Sequence, residues 1–592
     1  KSFFISEIFG LCKYIRFFDL SKQILLILIY SLLIDNTFLV MKLKLGFLLG
    51  VFLFIKVSLI SQPTCSYFST YFGGNQFDEI KSVCVDVDKN SYVIGNTYSN
   101  DLPITAGLIN DTASGNYDVF LAKFDSCGAL IWSTYFGGIG YESAEKMEMT
   151  HDGNVVFCGY TTSVTTPTTV GCFQSNNNGG YDCYLTKINP NGLIIWSTFF
   201  GKSGGDFAFD LKVDAVDNII IGGTSTSTNL YTTPTSFQSN HKGNTDAFIA
   251  RFSKNGLLKW CTYYGGAGSE DIHALAVDLN CNIIGVGESF SNNLNTSASA
   301  FQSVNEGASD TYIIKLDSSC SRVFSTYLGG SGSDDAWGLV CDASDNIYVA
   351  GHTNSVDFDT TALSYQTAHN GGVDCYLTKW SPTGTLIKST LFGGSLNDYS
   401  SRLIGMSNSE ILLLTETESI NLPTYTFSQQ TSLMGSYDMY LTSFDMNSLF
   451  PTWGTYYGGA IVEDASDIKL INSNEVVVCG SSNSSDYPVS TGAYQTSLNN
   501  STDGVITKIN ITKTVSTIIE ENFLDPIIEI YPNPFNDYLY IKSKNSFLIE
   551  IKTLLGETIY RRTNDDYIST KDLSPGVYIV TANSKSYRFI KQ

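Results

Sequence analysis

The sequence predicts an all-β protein: a seven-bladed β-propeller of four-stranded blades, followed by a small immunoglobulin-like β-sandwich. Three observations predict this fold. A string close to STYFGG recurs seven times, and a strand start of the form Asp, any residue, then an aromatic or apolar residue also recurs seven times. Short β-branched and aromatic runs alternate with turns rich in Ser, Thr, Asn and Gly, without helical periodicity. A fixed long period indicates one structural unit copied in tandem.

The repeat unit is about 64 residues long and holds four strand candidates. The STYFGG-like string begins at residues 69, 133, 197, 261, 325, 389 and 454, so the spacing is 64 five times and 65 once. In the second unit the strand candidates are residues 142–149, 154–161, 182–188 and 193–200. Four antiparallel strands per unit in a closed radial array form a propeller blade, and we label them A to D from the axis outward.

The two ends of the array predict how the ring closes. Strand C starts seven times, at Asp118, Asp182, Asp246, Asp310, Asp374, Asp438 and Asp503. Strand D follows the first six, but no STYFGG follows Lys508, and an orphan copy lies at residues 65–74. We therefore expect the N-terminal strand to complete the last blade, with the propeller spanning residues 62–512.

Composition excludes several classes of function. The 592 residues carry a net charge of −22 and a pI near 4.6, which argues against nucleic acid as a partner because phosphate binding needs positive charge. No HExxH, CxxC or P-loop string occurs, and the one GxSxG match, at residues 201–205, lies in a glycine turn with no helix after it. We assign no catalytic residues and expect that the protein is not an enzyme.

The N-terminal region has the features of a processed segment. Lys42 and Lys44, an apolar run over residues 45–55 and small residues near Ser61 predict a secretory signal peptide over residues 41–61. Residues 1–40 lack a starting Met, and we interpret them as an over-extended gene start, with a membrane anchor as the alternative. No integral membrane span is expected in the mature protein.

The cysteines show no repeated disulfide framework. Twelve follow Cys12, all before the C-terminal segment, and equivalent positions lie in different repeats, too far apart to pair. We expect most of them to be small buried apolar residues. Cys172 with Cys183 is the within-repeat pair that we would test for a disulfide.

The repeat resembles a known family. The pattern STYFGG, then an acid, D-x-x-x-N, G-x-T-x-S, F-Q and D-x-[FY]-[LIV]-x-K is similar to the SBBP β-propeller repeats of bacterial secreted proteins, over residues 65–512. Two departures are Lys202 in place of the second glycine and Thr415 in place of the glycine found in the other six units. The resemblance implies a fold much more firmly than an activity.

An acid stands nine residues after the start of each STYFGG string. The seven are Asp78, Glu142, Asp206, Glu270, Asp334, Asp398 and Glu463. If strand A is innermost, these carboxylates ring the mouth of the central channel, where seven unpaired charges would repel one another. One interpretation is a ligand site, with Ca²⁺ or another cation as a possible ligand. The other, which we favour, is a repeated structural bond from each carboxylate to backbone N–H groups of a turn.

One face of the ring is the better candidate for binding. The D–A turns and the long B–C loops share one face, whereas tight hairpins form the other, and binding residues more often lie on long loops of a rigid scaffold. We expect an exported binding or adhesion module with a glycan or protein ligand on the long-loop face. The alternative is a secreted polysaccharide hydrolase or lyase that uses carboxylates near the propeller axis.

The C-terminal segment carries the most specific motifs of the chain. After a linker at residues 513–524, residues 525–592 show short alternating strands separated by PNP, LGE and SPG turns, which predicts a small antiparallel sandwich. This segment closely resembles the C-terminal sorting domain of the type IX secretion system. The matching residues are Tyr531, Pro532, Asn533, Pro534, Gly556, Pro575, Gly576 and Tyr578. The resemblance implies recognition by the type IX machinery, passage across the outer membrane, and secretion or attachment to the outer cell surface.

Overall fold

The computed structural model describes most of the repeat region and parts of the C-terminal segment. The described residues are 65, 67–115, 117–406, 409–425, 427–499, 501–511, 529–531, 538–542, 548–553, 558–563, 567–582 and 585–591. The expected signal peptide at 41–61, the upstream residues 1–40 and the linker at 513–524 lie outside them. Within this part of the chain every regular element is a β-strand.

The repeat region forms seven four-stranded antiparallel sheets, as the sequence predicts. Its strands are β1 (Phe68–Phe72), β2 (Asp78–Val85), β3 (Ser91–Thr97), β4 (Asp118–Phe124), β5 (Leu130–Phe136), β6 (Glu142–Met149), β7 (Val155–Thr161), β8 (Asp182–Ile188), β9 (Ile194–Phe200), β10 (Asp206–Val213), β11 (Ile219–Ser225), β12 (Asp246–Phe252), β13 (Leu258–Tyr264), β14 (Ala274–Val277), β15 (Ile283–Ser289), β16 (Asp310–Leu316), β17 (Arg322–Leu328), β18 (Asp334–Cys341), β19 (Ile347–Thr353), β20 (Asp374–Trp380), β21 (Leu386–Phe392), β22 (Asp398–Gly405), β23 (Glu410–Thr417), β24 (Asp438–Asp445), β25 (Pro451–Tyr457), β26 (Glu463–Asn472), β27 (Glu475–Ser482) and β28 (Asp503–Asn510).

The sheets are the blades of a closed propeller. Blades 1 to 6 are β2–β5, β6–β9, β10–β13, β14–β17, β18–β21 and β22–β25, and blade 7 is β26–β28 with β1 on its outer edge. The first strands of the blades contact one another around the ring, from β2 through β6, β10, β14, β18, β22 and β26 back to β2. Strand A is therefore innermost, and the seven-bladed fold is confirmed.

The N-terminal strand belongs to blade 7. β1 pairs antiparallel with β28, from Phe68 opposite Lys508 to Phe72 opposite Gly504. A disulfide joins Cys65, just before β1, to Cys127 in the C–D turn of blade 1, with 5.1 Å between their Cα atoms. The outermost strand of blade 7 is thus tied to its neighbour across the ring closure.

The disulfide expectation was wrong in its choice of pair. Cys172 and Cys183 are both free thiols, and so are the other eight cysteines that the structure describes beyond the bonded pair. The bonded cysteines lie 62 residues apart, at non-equivalent positions of the repeat. Comparison of equivalent positions misses them, because ring closure brings the segment before β1 beside the first blade.

The STYFGG string recurs because its side chains hold the B–C loop to strand D. In blade 1 the hydroxyl of Tyr135 donates to the carbonyl of Ser99 (2.9 Å) and accepts from the N–H of Leu102 (3.1 Å). Tyr263, Tyr327 and Tyr456 make the same pair of bonds in their own blades. These tyrosines are at most 1% exposed, so each loop is fastened to a buried anchor.

The C-terminal unit, 514–592, has its own small core. One sheet contains β29 (Glu529–Tyr531), β30 (Tyr538–Lys542) and β33 (Tyr567–Ser569), and the other contains β31 (Leu548–Thr553), β32 (Thr558–Thr563), β34 (Gly576–Ala582) and β35 (Lys585–Lys591). The two sheets bury Leu539, Ile551, Ile568, Tyr578 and Val580 against one another. This is the β-sandwich that the sequence predicts.

Candidate functional site at the propeller axis

The seven acids that follow the STYFGG strings are buried, each 0–1% exposed. Six of them are the first residue of strand A, and Glu270 lies four residues before β14. Each one accepts the backbone N–H four residues before it, in the turn from the preceding blade. The N–O distances are 2.6 Å for Gly74 to Asp78, 2.7 Å for Lys202 to Asp206, 2.8 Å for Gly266 to Glu270, 2.8 Å for Gly330 to Asp334, 2.7 Å for Gly394 to Asp398 and 2.9 Å for Gly459 to Glu463. Glu142 takes the same bond from Gly138.

Hydroxyl groups at the end of strand B complete these bonds. In blade 6, Ser419 and Thr417 donate to the two oxygens of Asp398 (2.9 and 2.5 Å), and in blade 3 Ser227 donates to Asp206 (2.8 Å). Burial raises the pKa of all seven carboxyls, to about 6 for Asp78 and Asp398. The same partners recur around the ring, which favours the repeated structural bond. The ligand-binding role of these seven residues stays a prediction.

The first of the two glycines in each STYFGG string has no room for a side chain, because these carboxylates lie beside it. A Cβ at Gly73 would lie 2.4 Å from Asp503 Oδ1 and 2.9 Å from Asp78 Oδ2, and a Cβ at Gly393 would lie 2.4 Å from Asp374 Oδ1. The turn therefore passes between the strand-C acid of one blade and the strand-A acid of the next. In blade 3 the second glycine is replaced by Lys202, whose N–H still donates to Asp206.

The structure shows a cavity on the axis that the sequence analysis did not identify. Its volume is about 390 Å³. The lining residues come from the second to fifth positions of strand A and the second-last position of strand B, at the long-loop end of the channel. They are Glu79, Lys81, Glu145, Trp337, His352, Tyr399, Ser400, Ser401, Arg402, Glu416, Asp464, Ala465 and Ser466.

A β-bulge in strand A places part of this lining. In blade 1 the register with β3 shifts between Ile80 and Ser82, which leaves Lys81 without a partner in the ladder. The same shift leaves out Glu145 in β6 and Trp337 in β18. These side chains line the channel instead of following the alternation of the sheet.

Charged groups occupy one side of the cavity. Glu416 accepts the N–H of Ala465 at 2.9 Å, and burial, with Asp464 nearby, raises its pKa to about 7. Lys81 lies 3.8 Å from Glu79, and although burial lowers the pKa of this lysine, Glu79 and Glu145 raise it above its usual value. Burial lowers the pKa of His352, so its imidazole is neutral at pH 7.

Aromatic rings form an arc from blade 1 to blade 5 that ends at the cavity wall. Ring centroids are 4.5 Å apart for Tyr98 and Tyr117, 4.7 Å for Tyr117 and Tyr141, 6.3 Å for Tyr141 and Tyr160, 4.9 Å for Tyr160 and Phe207, 6.4 Å for Phe207 and Phe209, 6.1 Å for Phe209 and His273, and 4.1 Å for His273 and Trp337. We call these residues the aromatic arc. Blades 6 and 7 have Ser401 and Ser466 at the position of Trp337, so the channel wall is asymmetric.

Ion pairs close the channel below this cavity. Lys146 and Asp467 are 2.7 Å apart, and Glu148 pairs with Lys469 (2.6 Å) and Lys212 (3.2 Å). Burial alone would raise the pKa of Glu148. The pKa is instead lowered to about 2, because these lysines stabilise the charged carboxylate. About 30 Å³ is open beside Lys146, Lys212, Asp467 and Lys469, much less than in the cavity above them.

A metal centre has no support in the part of the chain that the structure describes. No group of three or more His, Cys, Asp or Glu side chains is arranged there to hold a metal ion. The described part of the chain also contains no helix that is long and apolar enough to cross a membrane.

Two family models match the sequence. The model described as "Beta-propeller repeat" (SBBP) matches residues 323–359, within blades 4 and 5, and the model described as "Secretion system C-terminal sorting domain" matches residues 529–592. The chain thus contains an SBBP-type β-propeller repeat and a C-terminal type IX sorting domain. The sorting domain indicates export, with secretion or attachment to the outer cell surface.

The residues of the sorting motif are only partly described. Tyr531 lies in β29, Gly576 and Tyr578 lie in β34, and Pro575 lies just before β34. The Tyr578 hydroxyl donates to the carbonyl of Ser574 (2.8 Å), which fixes the SPG turn. Pro532, Asn533, Pro534 and Gly556 lie outside the described residues.

Other known proteins resemble the chain only distantly. An uncharacterized WD repeat-containing protein of Acanthamoeba polyphaga mimivirus is 23% identical over 226 residues, which cover 31% of this chain and 16% of that protein. Virginiamycin B lyase from Staphylococcus aureus has a TM-score of 0.36 at 8% identity, over 74% of this chain and 99% of its own. A PL25 ulvan lyase has a TM-score of 0.37 at 9% identity, over 70% and 92%. These likenesses say nothing about the activity of this chain.

Proposed function

We propose that the protein is an exported glycan-binding module whose ligand occupies the axial cavity on the long-loop face. The asymmetry of the channel wall carries this proposal, because a wall that differs from blade to blade serves no repeated structural purpose. Trp337 and Tyr399 offer ring faces and edges to the cavity, and Glu79, Glu145, Glu416 and Asp464 offer hydrogen-bond acceptors. Ring faces that pack on C–H groups, together with acceptors for hydroxyls, suit a sugar.

The charges of the lining narrow the class of glycan. Four carboxylates (Glu79, Glu145, Glu416 and Asp464) face two cations (Lys81 and Arg402), so four negative and two positive charges leave a net charge of −2 when all six are ionised. Arg402 also donates to the backbone carbonyl of Trp337 (3.2 Å), which uses part of its capacity. Such a cavity favours neutral or amino sugars over sulfated or uronic-acid polymers.

A retention assay with matched variants tests this proposal. The full chain is passed over immobilised neutral, amino and acidic polysaccharides, alongside Trp337→Ala and the exposed-site control Val170→Ala. We expect retention on a neutral or amino polymer, a loss of about tenfold or more in affinity for Trp337→Ala, and no change for Val170→Ala. No retention on any polysaccharide, or retention that Trp337→Ala leaves unchanged, contradicts the proposal. Binding to a protein ligand without binding to any polysaccharide also contradicts the proposal.

A second candidate function is a polysaccharide hydrolase or lyase. One observation favours it: the pKa of Glu416 is raised to about 7, and Asp464 lies beside it in the same cavity. A carboxyl with this pKa can donate or accept a proton at neutral pH. New reducing ends or unsaturated products in the retention assay, lost in Glu416→Gln with binding retained, would establish the enzyme. Retention without product supports the binding module.

A further inference from the structure

Blade 1 lacks an amide bond that the other six blades share. In those blades a glutamine Nε2 donates to Oδ2 of the strand-C aspartate, and the pairs are Gln174–Asp182, Gln238–Asp246, Gln302–Asp310, Gln366–Asp374, Gln430–Asp438 and Gln495–Asp503. Blade 1 has Asn110 at this position, and its shorter side chain donates to the carbonyl of Gly137 (3.2 Å) instead. Among the described residues, no side-chain amide therefore donates to Asp118.

A second difference in blade 1 opens a space in the B–C loop. Three residues after the glutamine, blades 2 and 4 have Asn177 and Asn305, which donate to strand-B carbonyls at 3.0 and 2.9 Å. Blades 3 and 5 have a histidine there with the ring nitrogen 3.1 and 2.9 Å from a carbonyl, and blades 6 and 7 have a leucine packed against the core. In blade 1 the residue is Ala113, which cannot fill this space.

The result is a second cavity, of about 410 Å³, on the long-loop face of blade 1. It is lined by Gln76, Thr97, Tyr98, Asn100, Ala113, Gly115 and Asp118. Asp118 is 2% exposed, and its Oδ2 accepts the N–H groups of Ser114 (2.9 Å) and Gly115 (3.1 Å). Its Oδ1 has no hydrogen-bond partner among the described residues.

The unpaired Oδ1 is not peculiar to blade 1. The equivalent oxygens of Asp182, Asp310 and Asp503 are also without a partner in the described structure. Those three carboxylates have the glutamine amide on their other oxygen. In blade 1 the buried acceptor lacks this glutamine amide and lines an open space.

We propose that this blade-1 cavity is a sugar subsite that binds one unit of a glycan chain. The proposal rests on the glycan-binding function above and adds a second position to it. Tyr98, 47% exposed, supplies an aromatic edge, and Gln76 and Asn100 supply amide groups. A sugar hydroxyl donates to Asp118 Oδ2, the oxygen that accepts the glutamine amide in the other six blades. The single carboxylate disfavours an anionic unit, and the amide lining suits neighbouring hydroxyls better than an apolar ligand.

The subsite adjoins the aromatic arc and, through it, the axial cavity. Tyr98 contacts Tyr117, and the hydroxyl of Tyr117 donates to Glu79 Oε1 at 3.1 Å. Glu79 lines the axial cavity. A chain bound at the axis therefore continues over the Tyr98–Tyr117 pair into blade 1.

The variant Ala113→Asn gives a direct test, because it restores the residue that stands in blades 2 and 4 and places a carboxamide in the cavity, where the equivalent asparagines donate to a strand-B carbonyl. Ligand-observed NMR of the full chain with glucose, galactose, mannose and N-acetylglucosamine measures single-unit binding. We expect at least one sugar to bind, a loss of about tenfold or more in affinity for Ala113→Asn and for the exposed variant Asn100→Ala, and measurable binding that survives in Trp337→Ala. Unchanged thermal unfolding shows that each variant is folded.

The outcomes separate this inference from the proposed function. If Trp337→Ala abolishes all binding while Ala113→Asn and Asn100→Ala leave it unchanged, the axial site stands and the blade-1 subsite is overturned. If none of the four sugars binds the wild-type chain, the subsite is overturned as well, and retention on polysaccharide decides the axial site separately. If Ala113→Asn does not fold, Asn100→Ala carries the test, because its side chain is exposed.

Discussion

At the scale of single residues, the seven ring carboxylates show how a repeated polar bond can stabilise a propeller. Asp398 is 1% exposed and accepts from Gly394, Ser419 and Thr417, so it joins the turn from blade 5 to two positions of blade 6. The three hydrogen bonds compensate part of the cost of burying the carboxylate. Removing the carboxylate would leave the three donors without an acceptor.

We expect Asp398→Ala to lower the free energy of unfolding by about 2–4 kcal/mol, because three buried donors lose their partner. Urea unfolding of the full chain measures this change. The control is the exposed Asp88→Ala, which we expect to stay within about 0.5 kcal/mol of the wild type. Equal effects of the two substitutions would contradict the structural role of the ring.

Burial of the acids also predicts how stability depends on pH. The pKa values of Asp78, Asp182, Asp310, Asp398 and Asp503 are raised to about 6 from 3.8. The folded state then binds more protons than the unfolded state, so their contribution is fully present below pH 3.8 and is lost as the pH rises through about 6. Glu148 acts in the opposite sense, because its pKa is lowered to about 2 and its contribution is lost as the pH falls from 4.5 to 2.

We therefore expect the free energy of unfolding to rise as the pH falls from 7 to 5, to pass a maximum between about pH 4 and 5, and to decline below it. One pKa unit on one group corresponds to about 1.4 kcal/mol, so the rise amounts to a few kcal/mol after solvent screening. Denaturation midpoints measured from pH 3 to 8 test this. A steady decline from pH 7 to pH 5 would show that the buried acids are ionised and fully compensated.

At the scale of elements, the closing strand depends most on its covalent link. β1 is an edge strand with five residues and pairs only with β28 in its sheet. The Cys65–Cys127 bond closes a segment of 62 residues, a loop length for which chain entropy gives about 4 kcal/mol. Short edge strands fray first, so this link fixes the weakest point of the ring.

Cys127→Ser should lower the free energy of unfolding by about 2–4 kcal/mol and speed amide exchange in β1 more than in β9, the equivalent strand of blade 2. Hydrogen exchange with mass spectrometry compares the two strands in one experiment. Cys172→Ser is the matched control, because Cys172 is a partly exposed free thiol, and we expect no change there. Equal acceleration in β1 and β9 would mean that the disulfide acts on the whole ring and not on its closure.

The strands could be predicted from the sequence because their residues recur, whereas the axial site could not because its residues vary. Lys81, Glu145 and Trp337 occupy one position of strand A, three residues after the ring acid, and share neither charge nor size. A search for repeated motifs discards such a position. The signal that could have found it is this variability itself, at a position beside an acid present in every repeat. The blade-1 cavity has a similar cause, since Ala113 and Asn110 matter only by contrast with their counterparts.

At the scale of the whole molecule, the proposed function assigns delivery to one unit and recognition to the other. The C-terminal unit carries the sorting domain, and the propeller carries both cavities. The propeller presents both cavities on its long-loop face, while ion pairs such as Lys146–Asp467 seal the axis below. A rigid closed ring keeps such a site in a fixed shape without a ligand, which lowers the entropy lost on binding.

We expect a chain that ends at residue 513 to stay in the periplasm of a bacterium with a type IX secretion system, because the sorting domain is missing. Cell fractionation with an antibody to the propeller gives the share in the medium and on the surface. We expect Pro575→Ala, at the SPG turn, to reduce export, but by less than the deletion of the whole domain. Normal export of the truncated chain would show that the propeller carries its own signal for the outer membrane.

The central claim is that a glycan occupies the axial cavity, and hydroxyl-radical footprinting tests it most directly. The full chain is oxidised with and without a polysaccharide that it retains, and modification is read residue by residue. The account predicts strong protection of Trp337 and Tyr399, with the exposed control Tyr494 unchanged. Unchanged oxidation of both axial residues, with protection elsewhere on the ring, would place the ligand outside the cavity and contradict the account.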